Sequence, residues 1–273
     1  MVDYNPEIIF QDESKIFESP FWTEDNKLFF VSIDDNLIYS LNLNSSTVNK
    51  TRTNGAVGCV VKVGENKLWS AEKEGLFETN LITNERKFLI QPEPNILMRY
   101  NDGKLDPKGR FVFGTKGFIN EYPGKGKLYS YDGAILKIII TGTTISNGIA
   151  FSLDNKFMFF VDTPTKMVGR YHYNVDTGDA SFDKYVINLP NEGLPDGICI
   201  DEFGNLWVAE WGGGKVCKWN PDTSEKMDEI LFPVTNITSC CLGGMNNEYL
   251  FVTSARFESN EAQLSSVFKI KIR

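Results

Sequence analysis

The chain repeats one pattern of polar and apolar positions six times. Each copy has a turn rich in Asp, Asn and Gly, then a polar residue, then a short run of apolar and aromatic residues. The copies read TEDNKLFFVS, GENKLWSAE, DPKGRFVFGT, SLDNKFMFFVD, DEFGNLWVAE and GMNNEYLFVTS. A turn followed by such a run is typical of a strand in an antiparallel sheet.

The spacing of these copies predicts the architecture. Their first large apolar residues lie 40, 43, 46, 49 and 44 residues apart and are Leu28, Leu68, Phe111, Phe157, Leu206 and Leu250. Such a period, about 40 to 50 residues, matches a four-stranded blade of a β-propeller. We therefore predict an all-β fold, a six-bladed β-propeller formed as one domain over residues 1–273. The early segment EIIF is expected to add a strand to the last blade and close the ring.

Composition and charge narrow the possible partners. The chain has 28 Lys and Arg against 36 Asp and Glu, a net charge of −8, and no basic patch that could follow a nucleic acid backbone. The start MVDYNPEIIF lacks the features of a signal peptide, and no apolar run reaches the roughly 18 residues needed to span a bilayer. We expect a soluble, cytoplasmic monomer that binds a small molecule and neither nucleic acid nor membrane. The five cysteines, without a C-x-x-C pair, are interpreted as buried reduced thiols.

One position of the repeat carries polar residues. Ten residues before each anchor, where the innermost strand of a blade should begin, stand Glu18, Gly58, Asn101, Asn147, Asp196 and Cys240. Equivalent positions of successive blades are related by rotation about the central channel, so these side chains should meet at the axis. Four of the six carry oxygen ligands, although apolar segments follow three of them, PFW after Glu18, GIAF after Asn147 and GICI after Asp196.

These oxygens predict a cation site. A buried carboxylate is costly unless it is paired, hydrogen-bonded or bound to a cation. The competing interpretation is that each residue only caps a turn, since Asn-Gly and Asp-Gly are common turn pairs. Carboxylate and amide oxygens without thiolate or imidazole favour one hard divalent cation, Ca²⁺ first, with Mg²⁺ or Mn²⁺ as alternatives and Zn²⁺ less suited.

Other catalytic chemistries lack their residues. The single histidine, His172, lies in an alternating outer-strand run and is interpreted as a surface or packing residue. No G-x-S-x-G elbow and no nucleotide-binding glycine motif occurs in the sequence. The glycines at 212–214 predict a hairpin turn.

Several longer runs together resemble one protein family. They are ESPFW, MRYNDGKLDPKGRFVFGT, SNGIAFSLDNKFMFFVDT, LPDGICIDEFGNLWVAEWGGGKV and TSCCLGGMNNEYLFVTSAR. They are similar, in order and spacing, to the regucalcin family, also called the senescence marker protein and gluconolactonase family. The resemblance implies a divalent cation held by Glu18, Asn147 and Asp196, and lactonase activity on aldonolactones. It also implies that Arg99 and Asn101 bind substrate.

One segment departs from the family pattern. After the GT that ends the third copy, relatives of the vertebrate type have a methionine and then an acidic pair that reaches the substrate. Here Lys116 replaces the methionine, and Ile119 stands where an ungapped alignment places the acid. Glu121 is the alternative for that role. The loop from Lys116 to Lys127 therefore bears on which lactone is preferred.

The resulting hypothesis is metal-dependent hydrolysis of sugar lactones. The cation would polarise the lactone carbonyl, and Asp196 would assist proton transfer as the catalytic residue. A role for Asp196 as a ligand alone, with the cation activating water, stays open. Two rivals keep the metal and change the function, namely a calcium-binding regulatory protein without turnover and a phosphotriesterase-like hydrolase. A pure interaction scaffold, the third, would not need four converging polar groups.

Overall fold

The repeat period corresponds to the blades of a propeller. The computed structural model describes residues 4–189, 193–256 and 264–273, and it contains six four-stranded antiparallel sheets. These sheets are arranged as a six-bladed β-propeller, so the predicted fold class is confirmed. The one helical element of the described residues is a short 3-10 turn at Thr163–Thr165.

Each of the first three complete blades is a meander of four consecutive strands. The first has β2 (Phe17–Thr23), β3 (Lys27–Ser32), β4 (Leu37–Asn42) and β5 (Thr47–Arg52). The second has β6 (Val57–Gly64), β7 (Lys67–Glu72), β8 (Gly75–Asn80) and β9 (Arg86–Ile90). The third has β10 (Met98–Leu105), β11 (Phe111–Gly117), β12 (Gly126–Tyr131) and β13 (Leu136–Thr143).

The remaining blades repeat the arrangement, and the last one combines both ends of the described chain. The fourth has β14 (Ser146–Phe151), β15 (Phe157–Asp162), β16 (Met167–Asn174) and β17 (Asp179–Asn188). The fifth has β18 (Leu194–Ile200), β19 (Leu206–Trp211), β20 (Lys215–Asn220) and β21 (Glu225–Leu231). The sixth has β22 (Asn236–Gly243), β23 (Tyr249–Ala255), β24 (Ser265–Lys271) and β1 (Glu7–Asp12).

The ring closes through the pairing of β1 with β24. Glu7 lies opposite Lys269 and Asp12 opposite Ser265 in an antiparallel ladder. The strand predicted at EIIF therefore completes the last blade, as expected. An unpaired edge on β24 would offer free backbone groups to other chains, and β1 covers that edge.

The hydrophobic core lies between the blades. Six clusters of buried apolar side chains occur in the described chain, and each combines residues from two neighbouring blades. At the closure, for example, Phe17 and Phe30 of the first blade pack with Phe251 and Val267 of the sixth. No blade buries its faces alone, so the stability of each depends on the next one around the ring.

The cysteine, histidine and glycine interpretations agree with the structure. All five cysteines are buried and unpaired. His172 is exposed and packs its ring against Phe157. The glycines at 212–214 connect β19 and β20, and Gly212 and Gly214 have φ values of 76° and 62°, in the region that favours glycine. Within the described ranges, the structure has no helical segment with the length and hydrophobicity of a transmembrane span.

Substitution of Phe30 by Ala should destabilise the protein by weakening the packing between the first and sixth blades. Its ring is fully buried and lies 5.1 Å from Phe17 and 4.9 Å from Tyr39, centroid to centroid. Because a large cavity would remain, we expect a loss of about 3–5 kcal/mol in the free energy of unfolding, measured by denaturant titration. Phe203→Ala, at a ring that is 72% exposed, is the matched control and should cost less than about 1 kcal/mol. Equal losses in the two variants would contradict this assignment of the core.

Candidate functional site

The innermost strands bring the predicted polar residues to one cavity. Glu18 lies on β2, Asn101 on β10, Asn147 on β14 and Asp196 on β18. All four line a cavity of about 260 Å³. Each is at least nine-tenths buried, with exposed fractions of 7%, 8%, 5% and 5%. The prediction that these repeat positions converge agrees with this geometry.

The two other repeat positions do not line this cavity. Gly58 lies where a Cβ atom would be 2.4 Å from the Asn101 carbonyl oxygen, so only glycine fits between the second and third blades. Cys240 lines a second cavity of about 650 Å³, which also includes Asp102. Of the six repeat positions, only the four polar ones, Glu18, Asn101, Asn147 and Asp196, line the cavity of about 260 Å³.

A β-bulge interrupts every innermost strand at this level. The register of β2 against β3 shifts between Glu18 and Phe21, and that of β10 against β11 shifts between Tyr100 and Gly103. Corresponding shifts occur in the strands β6, β14, β18 and β22. A bulge bends its strand and re-aims a side chain, which accounts for polar residues that turn toward the axis out of otherwise apolar strands.

The turn interpretation of Asn-Gly and Asp-Gly does not hold here. Asn147 and Gly148 lie inside β14, and Asp196 and Gly197 lie inside β18. A Cβ atom on Gly148 would be 2.6 Å from the Asp196 carbonyl oxygen. The glycine therefore follows the asparagine because neighbouring blades approach closely at the axis, and a larger residue would separate them.

A chain of hydrogen bonds joins three blades beside the cavity. Arg99 Nη1 donates to Asn101 Oδ1 at 2.8 Å, and Asn101 Nδ2 donates to Asn147 Oδ1 at 2.7 Å. Asn147 Nδ2 then donates to Thr163 Oγ1 at 2.7 Å, and Thr163 Oγ1 donates to the Pro195 carbonyl at 2.9 Å. The orientations of both asparagine amides are fixed by these contacts.

Glu18 and Asp196 are the buried carboxyl groups of the cavity, and burial raises the pKa of both. Burial, followed by the charge of Asp102, raises the pKa of Glu18 to about 8, although the Ser19 N–H donates to Glu18 Oε2 at 2.9 Å. Burial and then the charge of Glu18 raise the pKa of Asp196 well above its ordinary value. Arg99 and Lys116 act in the opposite direction on both groups. The charges of Arg99 and Lys116 therefore do not offset the effect of burial, and both carboxyl groups favour the protonated form.

The donor set fits a hard cation. Asp196 Oδ1 is buried and has no hydrogen-bond partner within the described ranges. Asn147 Oδ1 accepts one hydrogen bond, and an amide oxygen has a second lone pair. Among the residues that the structure describes, no three His, Cys, Asp or Glu side chains form a metal-binding group. Of the three side chains, Glu18 and Asp196 supply carboxylate oxygens and Asn147 supplies an amide oxygen. A third protein ligand to a cation would therefore have to be the Asn147 amide.

The departing loop contributes two charged residues. Lys116 is half-buried and lines the cavity, and the exposed Glu121 lines it at the rim. Ile119, the position of the ungapped alignment, lines a neighbouring surface groove and is 85% exposed. Glu121 is thus the acidic residue of this loop that reaches the cavity.

The sequence pattern missed Thr163. This residue begins the 3-10 turn after β15, outside the repeat position that revealed the others, and it holds the Asn147 amide. The apolar lining was also not predicted and consists of Ile16, Ile33, Ile145, Leu194 and Trp211. No periodic signal marks these residues, because they belong to connections and strand ends.

Known proteins with the same pattern were found by comparison. A family profile described as "SMP-30/Gluconolactonase/LRE-like region" matches residues 16–256. Regucalcin of Danio rerio is 30% identical over 254 residues, which cover 91% of this chain and 86% of that protein. A Bacillus subtilis protein named as a candidate sugar lactone lactonase is 30% identical over 253 residues, again 91% and 86% of the two chains. The crystal structure of the calcium-binding protein regucalcin from Agrobacterium tumefaciens has a TM-score of 0.91 at 23% identity, covering 99% of this chain and 96% of that one.

The buried charge of Glu18 predicts a pH-dependent stability in the presence of chelator. Its pKa is about 8 in the fold, against an ordinary value of 4.5, so the folded state holds the proton more tightly. The contribution of the protonated Glu18 to the free energy of unfolding is fully present below about pH 4.5 and is lost as the pH rises through about 8. Glu18→Gln should remove this loss and gain about 2–4 kcal/mol relative to wild type at about pH 8.

Thermal denaturation at several pH values tests this expectation. Glu121→Gln, at an exposed carboxylate of the same cavity, is the matched control and should follow the wild-type profile. Identical pH profiles of the wild type and Glu18→Gln would be inconsistent with the burial of an uncompensated charge.

Proposed function

Because the chain belongs to the SMP-30/gluconolactonase/LRE-like family, we propose that it hydrolyses small sugar lactones at the cavity on its axis, with a divalent cation. The observation that carries this proposal is the hydrogen-bonded chain from Arg99 through Asn101 to Asn147, beside two buried carboxylates. The Arg99 guanidinium has further N–H donors, and Asn101 Oδ1 has a second lone pair, so groups that can bind a hydroxyl lie next to oxygens that can hold a cation. A cavity of about 260 Å³ suits a single small sugar derivative.

The cation would be held by Glu18, Asn147 and Asp196. The unpartnered Asp196 Oδ1 and the raised pKa of both carboxylates support this set, since each carboxylate gains from a neighbouring positive charge. When bound, the cation supplies Lewis-acid polarisation of the lactone carbonyl. Oxygen donors favour Ca²⁺, and Mg²⁺, Mn²⁺ and Zn²⁺ are the alternatives.

Asp196 is the proposed group for proton transfer. Hydrolysis adds water to the lactone carbonyl and breaks the ring C–O bond, so the proton of that water must move to the alkoxide that leaves. Asp196 Oδ1 makes no hydrogen bond to the described residues, so it can accept one from water. The backbone carbonyl of Pro195, the residue before Asp196, accepts a hydrogen bond from Thr163 Oγ1, and this contact fixes the start of β18.

Arg99 and Asn101 are the proposed substrate-binding pair. Arg99 Nη1 also donates to the Tyr100 carbonyl at 2.8 Å, and Asn101 Nδ2 donates to the Ser146 carbonyl at 2.9 Å. Both side chains are therefore held in place before a substrate arrives, which lowers the entropy lost on binding. The loop from Lys116 to Lys127 adds Glu121 at the rim and would set the preference among lactones.

Two other functions would use the same cation. A calcium-binding regulatory protein needs the three oxygen ligands but not the substrate-binding pair Arg99 and Asn101. A phosphotriesterase-like hydrolase would keep the cation and act on another electrophile. Turnover of sugar lactones and of a phosphotriester separates these cases.

Asp196→Ala and Arg99→Ala should have different effects on metal binding. The first variant removes an anionic ligand and should weaken divalent metal affinity about 100-fold or more, with loss of turnover. The second removes a cation that helps to position substrate, so metal affinity should stay within about threefold while kcat/KM falls about 10- to 100-fold. Calorimetric titration with Ca²⁺ and steady-state kinetics measure both. An Asp196→Ala protein that binds metal as well as wild type would refute the ligand assignment.

Chelator should abolish lactone hydrolysis, and the matching divalent cation should restore it. The substrates are gluconolactone, galactonolactone, xylonolactone and arabinonolactone, and acid release is measured with Ca²⁺, Mg²⁺, Mn²⁺ and Zn²⁺ in turn. A phosphotriester is the control electrophile. Turnover of the phosphotriester alone would favour the second alternative, and no turnover with metal demonstrably bound would favour the regulatory one.

A further inference from the structure

Two cations lie directly opposite each other at the cavity. Arg99 on β10 and Lys116 on β11 are cross-strand partners in the antiparallel ladder, and both line the cavity. Side chains in such positions share one face of the sheet, with Cβ atoms about 4.5–5.5 Å apart, and like charges there are destabilising. An arrangement that opposes folding at this place needs a compensating contact.

Carboxylates act on both cations from a distance, Asp34, Glu18 and Asp196 on Arg99, and Asp196, Glu121 and Glu18 on Lys116, but none of these is in contact with either cation. Within the ranges that the structure describes, neither Arg99 nor Lys116 forms an ion pair with a carboxylate. Both hydrogen bonds of Arg99 go to neutral acceptors, the Tyr100 carbonyl and the Asn101 amide oxygen. Burial and then the charge of Arg99 lower the pKa of Lys116 to about 8. The two cations thus repel each other without a fixed counter-charge in contact.

The carboxylates of the cavity do not fill that role when a cation is bound. Glu18 and Asp196 would face the divalent cation of the proposed function, so their charges are already offset. Asp34, which acts on Arg99, and Glu121, which acts on Lys116, are both exposed, so water and salt weaken their fields. The side of the cavity formed by β10 and β11 is then positive.

We propose that Arg99 and Lys116 together bind an anionic substituent of the substrate, a carboxylate or phosphate group carried on the lactone outside its ring. This inference rests on the proposed lactone hydrolysis and names its substrate class. The guanidinium of Arg99 can hold two oxygens of such a group, and the ammonium of Lys116 adds a point charge beside it. The anion relieves the repulsion between the two cations, so binding selects charged over neutral lactones.

Kinetics on matched lactones test the proposal. The neutral substrate is gluconolactone, glucarolactone adds a carboxylate, and phosphogluconolactone adds a phosphate. We expect kcat/KM for at least one anionic lactone to exceed that for gluconolactone by about tenfold in wild type. Lys116→Met should lower the ratio of kcat/KM for the preferred anionic lactone to kcat/KM for gluconolactone by about tenfold. The two anionic substrates distinguish a carboxylate from a phosphate as the preferred group.

A second measurement does not depend on turnover. Inorganic sulfate is titrated calorimetrically into the protein loaded with Mg²⁺, and Lys116→Met should bind it about tenfold more weakly than wild type. Lys184→Met, which removes the same charge from an exposed position on β17, is the matched control and should retain wild-type sulfate affinity and substrate preference.

The outcomes separate this inference from the proposed function. Equal rates with neutral and anionic lactones, together with sulfate binding that does not depend on Lys116, would overturn the anion subsite and leave lactone hydrolysis in place. Sulfate binding that depends on Lys116 in a protein that hydrolyses no lactone would support the subsite and refute the lactone hydrolysis on which it was built.

Discussion

The close approach of six strands at one axis is the constraint on which the rest of the structure depends. A Cβ atom on Gly58, Gly148 or Gly197 would lie 2.6 Å or less from an atom of the neighbouring blade. At this density polar side chains cannot be solvated, so each must find a partner or a ligand. The bulges, the hydrogen bonds between blades and the raised pKa values of the carboxylates all follow from that shortage of space and water.

The sequence repeat predicted the six blades and the polar residues Glu18, Asn101, Asn147 and Asp196 of the site. Each blade must place its apolar residues against the next one, so its pattern recurs, and Glu18 or Asp196 stands out as a polar residue at an apolar place. Thr163 and Lys116 have no such contrast. Thr163 lies in a connection outside the repeat, and the sequence marks Lys116 as unusual without showing that register places it opposite Arg99. The turn interpretation of Asn147-Gly148 was wrong, because a sequence pair cannot show how near another blade lies.

The cavity holds two pairs of opposite charges in one small volume. The carboxylates of Glu18 and Asp196 need positive charge, whereas Arg99 and Lys116 need negative charge, and direct ion pairs between the two sets are not formed among the described residues. Such separated charges are costly in the free protein, because burial weakens their hydration. A purely structural site would gain from pairing them. Their separation supports the proposal that each pair of charges binds a ligand of opposite charge.

The pairing of β1 with β24 also has a consequence for the order of folding. Phe10 lies opposite Val267, so this ladder joins residues from nearly the full length of the chain. On the ribosome the consecutive strands of one blade emerge within a few dozen residues of one another, but β1 precedes all the other strands of the propeller and its partner β24 follows them. The contact with the largest loop-closure entropy is therefore the one that completes the ring. Until synthesis reaches β24, β1 has no place in the fold, and the nascent chain must carry its apolar side chains unpaired.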